Sequence, residues 1–108
     1  MTQTPKKSRR QTLEEFLAAR PADAFARYGL AMECANAGDN QAAEENYKLL
    51  IAAHPDYTAG YYHYGQLLVR LGRRDEARAV LTSGVAATRR TGDEHARSEM
   101  EAAMGELG

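Results

Sequence analysis

The chain has 108 residues, 44% of them hydrophobic and 27% charged, which is the make-up of one small globular domain and excludes collagen-like, mucin-like and strongly disordered classes. Fourteen Lys and Arg against 15 Asp and Glu leave a formal net charge of −1, so a global polycation built for nucleic acid is excluded as well. The single cysteine, Cys34, cannot form an internal disulfide, and this fits a reducing compartment. The basic start lacks the apolar stretch of roughly 7–15 residues that a secretory signal needs. The longest apolar run, Leu49 to Ala53, is far short of the ~20 residues of a membrane span. The expected location is the cytoplasm, with no membrane contact.

In chain order, residues 1–11 read as a polar, disordered basic arm. Six helices follow, at about 12–20, 23–37, 40–54, 57–71, 74–91 and 94–107. Ala, Glu, Arg and Leu dominate, and no stretch alternates β-branched or aromatic residues as a strand would. Pro21, Gly38, Pro55, Gly72 and Gly92 mark stops, and Asp23, Asp39, Asp56, Asp75 and Asp93 follow them as start signals. Thr12 and Glu15 have the spacing of a capping box for the first helix. Within the helices the apolar residues keep helical spacing, for example Tyr61, Tyr64, Leu68 and Leu71. Glu44 and Lys48 form an i,i+4 pair expected on the outer face. Connections this short allow only antiparallel neighbours.

Charge is distributed in blocks. Residues 1–20, 21–56, 57–92 and 93–108 carry +3, −4, +4 and −4. Such alternation suits attraction between neighbouring helices, or pairing with a second copy.

Shifting the chain against itself by 34 residues aligns Pro21 with Pro55, Tyr28 with Tyr62, Gly38 with Gly72, Ala43 with Ala77 and Ala52 with Ala86. Apolar matches accompany them: Leu30 with Tyr64, Cys34 with Leu68, Tyr47 with Leu81 and Ile51 with Val85. A hairpin of helices cannot bury its apolar face alone, so repeated hairpins stack. Small residues at Ala31, Gly65, Ala43 and Ala77 allow the helices of each hairpin to approach closely.

This period and punctuation resemble the tetratricopeptide repeat (TPR), whose pattern runs aromatic, x2, Leu, Gly, x2, Tyr, then Ala, x3, Phe and a closing Pro. The second repeat supplies Tyr61, Tyr64, Gly65, Leu68, Ala77 and Leu81, with Arg89 in place of the Pro. The first supplies Leu30, Ala31, Cys34, Ala43, Tyr47 and Pro55, with Arg27 in place of the aromatic. The resemblance implies an all-α fold, a right-handed TPR-like solenoid of antiparallel helix hairpins. It spans 12–108 as one domain, with repeats at about 24–57 and 58–91 and flanking helices at 12–20 and 94–107. The layout is similar to small bacterial proteins with two such repeats between single flanking helices.

No catalytic, cofactor-binding or metal-ligating residue is assigned, and enzyme activity is not expected. His54, His63 and His95 lack zinc-ligand spacing, and His54 is expected to complement a helix end. Cys34 stands at an apolar repeat position and reads as a small buried hydrophobe. No P-loop, G-x-S-x-G or G-x-G-x-x-G occurs.

The resemblance does assign a partner groove. Residue by residue it comprises Phe25, Tyr28, Met32, Ala35 and Asn36, then Ala59, Tyr62, Gln66, Val69 and Arg70. It implies a module that binds another protein, as a short helix or extended segment, with the chain itself a monomer or weak homodimer. In the alternative, Tyr28, Met32 and Tyr62 pack on one another or on the last helix and fill the groove. The family's chaperone-binding members clamp a C-terminal carboxylate, but Tyr28, Met32 and His63 stand where Lys, Asn and Asn would be required. A runner-up function is nucleic-acid binding through Arg70, Arg73, Arg74 and Arg78, or through Lys6, Lys7, Arg9 and Arg10. A self-assembling scaffold is the third.

Overall fold

The computed structural model describes residues 6–108. Among them lie six helices: α1 Arg9–Ala19, α2 Ala24–Asn36, α3 Asn40–Ala53, α4 Thr58–Arg70, α5 Arg74–Thr91 and α6 Glu94–Glu106.

The helix starts follow local hydrogen-bond chemistry, and the first differs from expectation. Ser8, not Thr12, caps α1: the Gln11 amide donates to Ser8 Oγ at 3.1 Å, and the Ser8 amide donates to Gln11 Oε1 at 2.9 Å. A hydroxyl with Gln three residues later is itself a capping box, and Thr12 Oγ1 instead donates back to the Ser8 carbonyl at 3.1 Å. The expected arm therefore ends earlier. Residues 9–11 are helical, held by Arg9 to Glu33 at 3.1 Å and Arg10 to Asp39 at 3.0 Å. Residues 1–5 of that arm lie outside the described residues.

Asp23, Asp39 and Asp93 cap α2, α3 and α6, accepting from the amides of Ala26 (2.8 Å), Ala42 (3.2 Å) and Ala96 (3.1 Å). Asp56 and Asp75 do not cap. Tyr57 and Arg73 occupy those cap positions without a side-chain bond, and Asp56 instead accepts from Arg90 Nε at 2.8 Å. The two hairpin turns match. Gly38 and Gly72 have φ of 80° and 75°, a left-handed conformation that lets the next amide reach back to the helix, Asp39 to Cys34 O and Arg73 to Leu68 O, both at 2.9 Å.

The hairpins α2–α3 and α4–α5 carry the core. Ala31, Cys34, Ala43, Leu50, Leu68, Ala77 and Leu81 are wholly buried. Tyr47 of the first hairpin stacks on Tyr64 of the second, with ring centroids 5.7 Å apart and planes 11° from parallel. Burial pushes the Tyr47 hydroxyl up to about 12. The backbones meet where side chains are missing. A Cβ on Gly60 would stand 2.8 Å from Leu50 Cδ2, one on Gly65 2.6 Å from Leu81 Cδ2, and one on Gly84 2.6 Å from Tyr61 Cβ. α1 packs on α2 through Leu13 and buried Leu17, and α6 packs on α5 and α4 through Met100 and Leu107. Helices α2, α4 and α6 thus touch in succession as one row, with α1, α3 and α5 wedged along the other side, in a body of 57 × 28 × 20 Å.

Polar ties fix the joints. His54 Nε2 lies 2.8 Å from the Ala22 carbonyl, which fastens the end of α3 to the α1–α2 turn. Glu44 departs from its expected place on the outer face. Although Lys48 stands 3.4 Å away, the carboxylate is tucked against Arg73 at 2.8 Å and is only 18% exposed. Burial opposes its ionisation, but Arg73 and Lys48 more than compensate, so its pKa lies below the ordinary 4.5.

Gly84→Ala is expected to lower unfolding free energy by about 1–3 kcal/mol in urea titrations, because the added methyl overpacks the α4–α5 crossing. Gly29→Ala is expected to be neutral or stabilising by up to ~1 kcal/mol, since only the Leu13 methyls at 3.6 Å face that site. For Glu44, the folded state holds the proton less tightly than the unfolded state. Its stabilisation is therefore complete above pH 4.5 and fades as pH falls below that. Glu44→Gln is expected to lower stability at pH 7 and to flatten the acid limb of a stability–pH curve.

Candidate partner-binding groove

The row α2, α4, α6 follows from the core. Because the stripes Leu30, Ala31, Cys34 and Tyr61, Tyr64, Leu68 turn inward, the residues offset from them face away on one side. These include the positions expected to line a groove.

The ten expected residues divide by exposure. Phe25 is 73% exposed and Val69 40%, and Asn36 and Arg70 are exposed too. Tyr28, Met32, Ala35, Ala59, Tyr62 and Gln66 are half-buried. Tyr28 lies between Tyr57 and His63, with ring centroids at 5.5 Å from each. Tyr62 meets His63 edge-on at 5.3 Å and accepts a hydrogen bond from Gln66 Nε2 at 2.8 Å. Met32 Sδ accepts from the buried Tyr47 hydroxyl at 3.1 Å. Tyr28 is thus partly held by the second hairpin and Met32 by Tyr47 of its own, whereas Phe25 and Val69 are exposed. Burial lowers the pKa of His63 below its ordinary 6.5 and raises that of Tyr28.

α6 stands beside α4 as a wall. Two clefts separate them. Thr58, Ala59, Tyr62, His63 and Ala96 border one of about 310 Å³. Gln66, Val69, Arg70, Arg74, Ala103 and Leu107 border another of about 360 Å³. Tyr57, His63, Arg74, Ala103 and Leu107 are additions to the expected set. The apolar stripe of the last helix signalled that it packs, but nothing in its spacing said that it lies alongside α4. A further concavity of about 420 Å³ lies on the other side, between α1 and α3 over Arg27 and Leu30 of α2, and Leu49, 54% exposed, lines it.

The two basic clusters come apart. Arg73 binds Glu44 and Glu76, and Arg78 Nη2 donates to the Gly108 carbonyl at 3.3 Å. Of that cluster only Arg73 forms ion pairs among the described residues, and Arg70 and Arg74 make neither an ion pair nor a side-chain hydrogen bond there. In the arm, Lys7 pairs with Glu15 at 2.7 Å, and Arg9 and Arg10 pair as above. In both clusters carboxylates consume part of the positive charge that phosphate contacts would use. Cys34 is wholly buried, and burial raises its thiol pKa. Among the described residues no three His, Cys, Asp or Glu side chains are placed to hold a metal ion, and no helix is long and apolar enough to cross a membrane.

Comparison with known proteins agrees with this architecture. The family model described as "Tetratricopeptide repeat" matches residues 35–102. A TPR repeat-containing protein of Pseudomonas aeruginosa is 32% identical over 88 residues, covering 82% of this chain and 84% of that protein. The solution structure of a tetratricopeptide repeat domain protein from Salinibacter ruber is 33% identical with a TM-score of 0.76, covering 81% of this chain and 88% of that one. A Bordetella parapertussis protein shares the fold, with a TM-score of 0.80 at 24% identity over 94% of this chain and 89% of its own. With its two stacked hairpins and its match to the family over most of its length, this chain belongs to the tetratricopeptide repeat family.

Proposed function

We propose that this chain is an adaptor that binds a short helix or extended segment of another protein along the row α2, α4, α6. Tetratricopeptide repeats generally mediate protein–protein interaction and are generally non-enzymatic, which sets the class. The observation that carries the reading is the exposure of Phe25 and Val69 on the same row as half-buried Tyr28, Met32 and Tyr62. A monomer pays no internal energy for leaving a phenylalanine three-quarters exposed once, but an aligned set of aromatic, Met and aliphatic groups beside open clefts supplies adaptable contact area. Gln66 and Asn36 add polar contacts that orient a backbone. The protein acts as a monomer or weak homodimer in a reducing compartment such as the cytoplasm.

The test compares capture from native lysate by the wild type, by Phe25→Glu/Tyr62→Ala, and by Leu49→Glu on the opposite row, all shown by circular dichroism to be folded. Proteins held by the wild type and Leu49→Glu are expected to be lost by the double variant. Their retention by the double variant would contradict the groove.

A further inference from the structure

The cleft between the C-terminal halves of α4 and α6 has a chemistry that the rest of the groove lacks. Its floor is apolar: Leu107 is 7% exposed, Ala103 is half-buried and Val69 is 40% exposed. Two guanidinium groups stand at its border, Arg70 in the last turn of α4 and Arg74 at the start of α5. The intervening Arg73 is taken by Glu44 and Glu76, and nearby Arg78 by the Gly108 carbonyl. Arg70 and Arg74 are without an ion pair among the described residues, and Glu106 is the one acidic side chain lining the cleft. Two cations against one anion leave the mouth with a positive excess over an apolar floor. At about 360 Å³ the cleft lies at the small end of ligand-sized cavities, ~300–1,000 Å³.

We propose that this cleft receives an acidic peptide segment of a partner protein, with one large apolar side chain seated over Val69, Ala103 and Leu107 and flanking carboxylates on Arg70 and Arg74. The assignment rests on the groove reading above and gives it a partner class. Guanidinium and carboxylate match as paired donors and acceptors, so charge fixes register while the apolar side chain supplies burial. Gln66 offers its amide to the segment's backbone from the inner side. Nucleic acid fits less well. No aromatic side chain lines this cleft for a base to stack on.

A phage-displayed library of random peptides, selected on the full chain, tests this without knowledge of the partner. Enriched peptides are expected to place Asp or Glu beside Leu, Ile, Met or Phe, and a synthetic copy should shift the amide resonances of Val69, Arg70, Ala103 and Leu107. Arg70→Gln/Arg74→Gln should weaken that peptide about tenfold or more. Arg89→Gln, at an exposed α5 position, should leave it unchanged. Enriched peptides without acidic residues that shift Phe25 and Tyr28 would overturn the acidic cleft and leave the groove reading standing. Peptides that map to Leu49, or a library without enrichment, would overturn both. Displacement of the peptide by a random-sequence DNA oligonucleotide that binds tighter through the same two arginines would assign them to phosphate and overturn the peptide proposal.

Discussion

A pair of antiparallel helices buries one apolar face between its members and leaves a second open to water. In this chain the second face of α2–α3 is covered by α4, and the contact works because the backbones come close. Gly60 admits Leu50 and Ile51 where any Cβ would collide, and Tyr47 lies flat on Tyr64 across the joint. Dispersion and burial at such a contact are short-ranged, so a gap of even one methyl forfeits much of them. The flanking helices answer the same demand at the two ends. α1 covers the outer side of α2 with Leu13 and Leu17, and α6 covers α5 with Met100 set against Gly84.

That constraint also leaves one side bare. Each helix of the row α2, α4, α6 spends its inward stripe on the core, and the residues offset from it have no further layer to cover them. Charge follows a parallel logic. The alternating blocks of the sequence become specific joints: Arg10 to Asp39, Arg73 to Glu44 and Arg90 to Asp56 each link different helices or turns. Exposed pairs of this sort stabilise little individually, but they consume charges that would otherwise recruit ligands. Arg70 and Arg74 are two of the arginines this pairing leaves over, and both border the cleft between α4 and α6.

Much of this was legible in the residues. Pro21 and Pro55, Gly38 and Gly72, and Ala43 and Ala77 repeat at 34 residues because each hairpin solves one packing problem with the same small and turn-forming residues. Local caps were less legible. Ser8 with Gln11 and Thr12 with Glu15 have equivalent capping chemistry, and the choice went to Ser8 because Arg9 and Arg10 find carboxylates on α2 and at the start of α3, partners separated by more than twenty residues. Asp56 and Glu44 were misplaced for a similar reason. Arg90 and Arg73 draw them into contacts between hairpins that no local window contains. The positions on α2 and α4 that face away from the core could be counted from the repeat, but the α6 wall could not, since His95, Ser98 and Glu99 stand 34 residues after Tyr61, Tyr64 and Gly65, where two large residues and a small one would continue the register.

If stacking makes the two hairpins one unit, they must open together, and a groove built from both is rigid before any partner arrives. Native-state hydrogen exchange measures this directly. Slow-exchanging amides of α2 and α3 are expected to share one opening free energy with those of α4 and α5, equal to that of global unfolding, with α1 and α6 opening more easily. Opening of α2–α3 at a free energy well below that of α4–α5 would show hairpins that fold separately, and would contradict the account.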